Sequence, residues 1–381
     1  MRKQLVAFPK TTTSHLLVGS PWSRFFSKQL SPKEGSVELH FRYGIGNQHS
    51  QGFSTALSRQ EQKAVMNGGR ASLRIFMDFD STLTRKDTCT LIPQLAVAKQ
   101  SSNIELLQNW KNISGAFMEK YEKALHDGHK LNNFSQFLDG LDRAELFGVT
   151  GVEEKLVLKG ISKDDLKSLI FKFNSELAVN CESIFNLICN GSASTSENCK
   201  NSRIELCILS SNWSLDVIES FLFEKVQPLV NKTLRIWPIN RLSSNDDPLW
   251  SAEHSFFPNI YIYSNDLRFD DNNLTDGKFL TKQCVTSMDK LMSLRHHLFL
   301  SRDTSRSVYI GDSFNDMRCI LETNGIFYFP PDRQHNVLDY CSKFGIQMKT
   351  LQENQFRISH HTPTIAHDWK EITQAIENEI C

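Results

Sequence analysis

The sequence predicts an α/β chain: a doubly wound parallel sheet interrupted by a long all-helical insertion. Three observations predict it. Short apolar runs of strand length at 73–78, 204–209, 259–263, 307–310 and 325–329 alternate with segments of helical period, the pattern of a parallel sheet covered by helices. Between the first two runs, about a hundred residues keep a helical period without a strand signal. Three of the runs end in an acid or a hydroxyl, at the carboxyl ends where such sheets carry their sites.

Each element has its own signal. Residues 1–70 lack sustained periodicity and are rich in Ser, Gln, Gly and Asn, so they are expected to lie outside the fold. Leu73-Arg74-Ile75-Phe76-Met77-Asp78 is a buried-strand run. In the insertion, Ile104, Leu107, Trp110, Phe117, Tyr121 and Leu125 recur at helical steps, as do Phe134, Phe137, Leu138 and Leu141. A third set, Leu166, Leu169, Ile170, Phe173 and Leu177, follows the capping box Ser162-x-x-Asp165. Gly191 to Arg203 is polar, and a strand is expected at Ile204–Leu209. Residues 231–258, with Pro238, Pro248 and Pro258, read as an irregular surface excursion. Asn259–Tyr263 is a strand, Asp270 to Gly277 a polar hairpin, Met288–Leu300 a helix, and Ser307–Ile310 and Gly325–Phe329 are strands. After Lys349 a loop and a terminal helix from about Trp369 are expected.

Composition narrows the class. With 381 residues, 40% apolar and 23% charged, the chain is a globular protein of one large or two smaller units. A net charge of zero makes no case for nucleic acid or an anionic membrane as partner, and no apolar run approaches the roughly 20 residues of a membrane span. Nine cysteines without a Cys-x-x-Cys pair point to buried thiols in a reducing compartment rather than to zinc or disulfides. Quaternary structure leaves no signal. Residues 1–33 carry Arg2, Lys3, Lys10, Arg24, Lys28 and Lys33, no acid and many hydroxyls. That is the composition of an organellar transit peptide, and Arg24-Phe25-Phe26-Ser27 resembles a mitochondrial processing site. The alternative is a basic tail on a cytoplasmic protein.

The chemistry sits at the strand ends. Asp78 and Asp80 are one residue apart with Thr82 behind them. Side chains at i and i+2 of a strand share a face, so the two acids converge, and one is driven to hold a proton unless a cation intervenes. A divalent cation would leave one carboxylate free to attack an electrophile. The second run ends in Ser210, with Ser211 beside it; the fourth ends in Gly311-Asp312, with Asp316 four residues on. Lys290 lies near a helix start, 22 residues before Asp312. Together these form an inventory for phosphoryl transfer.

In order and spacing, the four segments resemble the motifs of the haloacid dehalogenase (HAD) superfamily, and the helical insertion resembles its C1-type cap. The resemblance implies a Rossmann-like HAD core over 71–86 and 191–350, a cap over 87–190, and a C-terminal extension at 351–381. It implies Asp78 as nucleophile and Asp80 as general acid and base. Ser210, Ser211 and Lys290 would hold the phosphoryl group. Asp78, the Asp80 main chain and Asp312 would surround Mg²⁺, with Asp316 holding Lys290 or a metal-bound water. An acid at Asp80 favours a phosphate ester, whose alkoxide needs a proton, over a halide.

Asp87, nine residues after Asp78, stands where the phosphoserine-phosphatase-like branch contacts its substrate's amine; it could equally cap the helix expected near Thr88. Trp110-Lys111-Asn112-Ile113-Ser114, Tyr121-Glu122-Lys123, Leu209-Ser210-Ser211-Asn212-Trp213, Val308-Tyr309-Ile310-Gly311-Asp312-Ser313, Gly325-Ile326 and Phe344-Gly345-Ile346 resemble a narrower group. It is the phosphatase domain that plants fuse to a thiaminase-II-type domain, which implies thiamin monophosphate as a substrate. Trp213 is then either a platform for a thiazolium cation or a core aromatic. The other activities in view are transfer to a sugar hydroxyl and a non-catalytic binding role. His296-His297 and His360-His361 are expected to be solvated or capping residues rather than metal ligands.

Overall fold

The protein is described by a computed structural model over residues 73–100, 102–190, 204–230, 233–241, 259–301, 306–331 and 336–380. The expectations for 1–70, for the polar segment 191–203 and for 242–258 lie outside these residues.

Strand β1 (Leu73–Met77) leads into five helices: α1 (Leu91–Lys99), α2 (Ile104–Gly128), α3 (Phe134–Glu154), α4 (Lys163–Lys172) and α5 (Glu182–Asn190). There follow β2 (Ile204–Leu209), α6 (Leu215–Phe221), β3 (Arg235–Pro238), β4 (Asn259–Tyr263) and a hairpin, β5 (Asp266–Phe269) with β6 (Thr275–Thr281). The chain continues through α7 (Ser287–Ser301), β7 (Arg306–Gly311), α8 (Met317–Thr323), β8 (Ile326–Tyr328) and α9 (Val337–Lys343). It closes with β9 (Lys349–Thr350), β10 (Thr364–Ala366) and α10 (Trp369–Ile380).

The large sheet has the order β3-β4-β2-β1-β7-β8-β10-β9, and every described pairing in it is parallel. The fold is Rossmann-like, and both faces of the sheet are covered: Ile75 and Met77 of β1 enter one apolar core and Phe76 the other. That is why β1 reads as a continuous rather than an alternating apolar run. The chain leaves β1 in both directions, to β2 on one side and β7 on the other. This switch in strand order opens a crevice at the carboxyl ends of the three strands.

Three elements depart from expectation. The helix expected through Leu177 ends at Lys172, because Asn174 turns into a left-handed conformation (φ 47°) and leaves Leu177 to bridge Thr84. The excursion begins with a strand: β3 pairs with β4 at the sheet edge, ending in Pro238, a residue tolerated there since an edge leaves one row of N–H groups unused. The segment after Lys349 is part of the sheet. β10 pairs with β8 and β9, and α10 buries Trp369, Ile372 and Ile376 in the core.

The insertion is stitched to the β5–β6 hairpin. Gly160 and Thr275 N–H groups donate to the Thr275 and Ile161 carbonyls, each at 2.8 Å, and Glu153 of α3 accepts from Phe279 N (3.1 Å) and Lys282 Nζ (2.7 Å). The capping box of α4 is formed, with Ser162 and Asp165 bonded reciprocally.

Candidate active site

Asp78 follows β1 directly, and its N–H donates to the Ile310 carbonyl of β7 at 2.9 Å. The following turn is tight. Leu83 and Thr84 N–H groups both donate to the Phe79 carbonyl, Ser81 takes φ 64°, and Thr84 Oγ1 accepts from Ser81 N at 3.0 Å. A positive φ at a non-glycine residue costs free energy that surrounding contacts must offset. Trp369 supplies one such contact from α10, donating its indole N–H to the Thr82 carbonyl at 3.1 Å.

Lys290 is brought in by α7, whose start is fixed by reciprocal bonds between Thr286 and Asp289. The side chain is fully buried; Nζ lies 2.9 Å from Asp78 Oδ1 and 2.8 Å from Asp316 Oδ1. Burial by itself would lower the lysine pKa, but Asp316 and Asp78 outweigh it and the net shift is upward. Asp316 is saturated. Its Oδ1 accepts from Lys290 Nζ and Tyr309 OH (2.7 Å), its Oδ2 from Asp312 N, Ser313 N and Ser313 Oγ. Gly311 makes room for this carboxylate, since a Cβ there would stand 2.4 Å from Asp316 Cγ.

Asp78, Asp312 and Asp316 bring carboxylate oxygens within 4.8 Å of one another. Thr82 Oγ1 donates to Asp312 Oδ1 at 3.0 Å. Burial, with Asp316 and Asp312 adding to it and Lys290 opposing, drives Asp78 well above the ordinary carboxylate range. Three acids against one buried lysine form an oxygen donor set that fits a hard divalent cation. Asp78 and Asp312 are the members best able to hold it, because the five bonds to Asp316 occupy both its oxygens.

Asp80 lies outside that cluster, in a separate hydrogen-bond cradle. Thr88 donates twice to Oδ1, from N at 2.7 Å and Oγ1 at 2.6 Å, and Asn212 Nδ2 donates to Oδ2 at 2.8 Å. Burial, with the charge of Asp87 adding to it and these bonds opposing, lifts the carboxyl to about 7. A carboxyl tuned to neutrality can both give and take a proton.

Ser210 follows β2 directly, and its N–H donates to the Tyr263 carbonyl at 2.9 Å. Its buried hydroxyl oxygen accepts from Asn212 N at 3.0 Å. Asn265, after β4, donates to the carbonyls of Ser211 (3.1 Å) and Asn212 (3.2 Å) and so holds this loop. Asp87 Oδ1 accepts from Cys89 N at 2.8 Å; it closes a turn before α1 rather than capping the helix, whose N-cap is Thr90. Trp213 is 8% exposed, held edge-on between Trp110 of α2 (6.4 Å between ring centroids) and Phe279 of β6 (6.1 Å). It is a packing aromatic at the junction of insertion and hairpin.

Asp78, Lys290, Asp312 and Asp316 thus come together with direct or shared partners, and Ser210 joins Asp80 through Asn212. Asn212, Thr88, Tyr309 and Asn265 were missed in the sequence. Each is an uncharged residue with no spacing signal, and its role exists only through a partner distant in the chain. His297 corrects another expectation, being fully buried rather than solvated. Its Nε2 lies 2.7 Å from Glu205 Oε1 and its Nδ1 2.9 Å from Tyr263 OH. Arg74 shares the same Glu205 oxygen at 3.0 Å, so Glu205 joins Arg74 and His297 in a hydrogen-bonded network within the core.

No family model matches the chain, and no curated protein matches it. Among solved structures, similarity is found to a HAD family hydrolase from Salmonella enterica serovar Typhi, at 16% identity over 81% of this chain and 72% of that one, TM-score 0.43. A phospho-aspartyl intermediate analogue of phosphoserine phosphatase matches at 15% identity over 80% and 97% of the two chains, TM-score 0.37. A probable phosphoserine phosphatase from Vibrio cholerae matches at 14% over 76% and 69%, TM-score 0.31.

Proposed function

We propose that the protein is a Mg²⁺-dependent phosphomonoester hydrolase of the HAD type, acting on a small metabolite through an aspartyl-phosphate. One observation carries this: two carboxylates separated by a single residue have separate sets of partners. Asp78 is gripped by a buried lysine beside a cation-ready acid cluster, while Asp80 sits apart at a pKa of about 7. The lysine and the acid cluster beside Asp78 assign it the role of nucleophile, and the separate cradle of donors around Asp80 assigns it the role of proton carrier.

The steps follow from that division. An Asp78 oxygen attacks phosphorus, the bond from phosphorus to the leaving oxygen breaks, and Asp80 delivers its proton to that oxygen. Water then attacks phosphorus, gives its proton to the Asp80 carboxylate and frees Asp78 with release of phosphate. Lys290 stays charged throughout and neutralises the transferring group, positioned by Asp316, and the Ser210 hydroxyl proton is directed at a phosphoryl oxygen. Mg²⁺, held by Asp78, Asp312 and the Asp80 carbonyl, would supply the charge that lets the anionic nucleophile approach an anionic ester. The five helices between β1 and β2 would serve as the cap over the leaving group, of C1 type, and thiamin monophosphate is the first candidate substrate.

Asp78→Asn is expected to abolish hydrolysis of 4-nitrophenyl phosphate while leaving the circular dichroism spectrum unchanged. EDTA is expected to stop the wild-type enzyme. Full turnover in EDTA, or in the Asp78→Asn protein, would refute this function.

A further inference from the structure

Asn212 is fully buried between two groups of the site, the Ser210 hydroxyl and the Asp80 carboxyl. All its polar atoms are engaged. The main-chain carbonyl accepts from Ser264 Oγ (3.0 Å) and Asn265 Nδ2 (3.2 Å), and the N–H donates to Ser210 Oγ (3.0 Å). In the side chain, Oδ1 accepts from Ser214 N at 3.1 Å. That bond settles which way the amide points, because Oδ1 is the one acceptor the side chain has. Nδ2 therefore faces Asp80, with one hydrogen on Asp80 Oδ2 (2.8 Å) and the other on Thr88 Oγ1 (3.0 Å).

The direction of the neighbouring bonds follows. Thr88 Oγ1 receives a hydrogen from Asn212 and turns its own toward Asp80 Oδ1 at 2.6 Å, where Thr88 N also donates at 2.7 Å. Two donors occupy both lone pairs of Oδ1, whereas Oδ2 receives a single donor among the described residues. A proton carried by Asp80 thus has its place on Oδ2. Thr88 is 1% exposed and Asn212 has no exposed surface, so water does not compete for these bonds.

We propose that Asn212 is a positioning residue of the phosphoryl-transfer reaction, its side-chain amide fixing Asp80 Oδ2 as the oxygen that gives the leaving group its proton. The inference rests on the phosphomonoesterase function above. Asn212 acts through Asp80 and Thr88 and touches no substrate atom. Without its Nδ2, the Thr88 hydroxyl loses the donor that directs it, and the Asp80 carboxyl is free to rotate about its Cβ–Cγ bond. The bond from the Asn212 main-chain N–H to Ser210 does not depend on the side chain, so the hold on the phosphoryl group is retained.

The test compares two esters in the wild type and in Asn212→Ala. One is 4-nitrophenyl phosphate, whose leaving group departs unprotonated; the other is the best-cleaved of thiamin monophosphate, O-phosphoserine and β-glycerophosphate. A misplaced acid should cost the alkyl ester about 10–10²-fold more in kcat/KM than the aryl ester, because the alkoxide needs the proton. This ratio does not depend on the fraction of protein that is folded, so a merely structural residue would leave it unmoved. Asn212→Ser, whose hydroxyl can keep the Ser214 N–H but is too short to reach Asp80, should show the same selective loss and serves if Asn212→Ala does not fold. Equal losses on both esters, no loss on the alkyl ester, or a wild type that cleaves the aryl ester alone overturns the proposal and leaves the phosphatase function standing. Failure of both variants to fold overturns it too, since Asn212 would then be a structural residue. If the wild type cleaves neither ester with Mg²⁺ present, the phosphatase function fails and the proposal falls with it.

Discussion

The proposed role of Asp80 as proton carrier depends on a carboxyl that holds its proton near neutral pH while its partners keep it in place. Two donors from Thr88 and one from Asn212 fix both oxygens, and burial places the carboxyl at about 7. The sign for catalysis follows. The donating form prevails below that pH and is lost above it, so kcat/KM for an alkyl phosphate, which reports the step that expels the alkoxide, should fall as pH rises through about 7. For 4-nitrophenyl phosphate, whose leaving group departs unprotonated, the decline should be much weaker. Asp80→Asn is accordingly expected to cost an alkyl ester about 10²–10⁴-fold in kcat/KM and the aryl ester far less. Equal losses on the two esters would remove Asp80 from the acid role. Lys290 shows the reverse tuning: with no exposed surface, it depends on two acids to remain charged, and removing either would leave a poorly compensated buried ion.

Among the elements, the strand ends deliver the chemistry and more distant elements hold it steady. The turn after β1 bears a strained Ser81 and is braced by α10 through the Trp369 indole and the Thr82 carbonyl. Trp369→Phe removes the donor and shrinks a fully buried aromatic, so it should destabilise the fold by at least about 1–3 kcal/mol and lower kcat for every ester alike. Chemical denaturation and steady-state kinetics measure the two effects; an unchanged kcat would show that α10 does not position the nucleophile turn. The Asp142 carboxylate plays a comparable part from the insertion. It accepts from the N–H of Ser287, the first residue of α7, and so joins α3 to the helix that carries Lys290. Arg318 reinforces this junction with bonds to Ser287 Oγ (2.9 Å), Ser135 and Asp139.

For the molecule as a whole, the site is a concentration of buried charge that the fold tolerates at a cost in stability. Asp78, Asp312 and Asp316 face a single lysine, and Asp78 is held above its ordinary pKa. Such a group favours the folded state at acidic pH and loses that contribution as pH rises through its folded-state pKa. A cation bound by the carboxylates should reverse the loss. At a Mg²⁺ concentration of 100 times Kd, linkage predicts about 2.7 kcal/mol of added stability, with a Tm gain over EDTA that widens from pH 5 to pH 8. Thermal unfolding in the two buffers measures it, and a Tm indifferent to Mg²⁺ would count against a metal at these acids. Among the described residues no helix is long and apolar enough to cross a membrane.

How far the sequence alone reached depended on the range of the interaction. Strand identity at Leu73–Met77, Ile204–Leu209 and Asn259–Tyr263 and the capping box of α4 are local, because apolar runs and i,i+3 bonds need only near neighbours. Asp78, Asp80, Ser210 and Asp312 were legible for the same reason: each stands at the end of such a run, and parallel sheets gather those ends on one edge. Tertiary structure decided what local pattern does not encode. It placed Lys290 between Asp78 and Asp316, gave Asp316 five hydrogen-bond donors, and packed Trp213 between two aromatic rings. It recruited Asn212 and Thr88 to Asp80, and set β10 and α10 into the core. Each of these outcomes rests on contacts between segments far apart in the chain. Burial sets the charges and hydrogen bonds there, and burial exists only once the chain has folded.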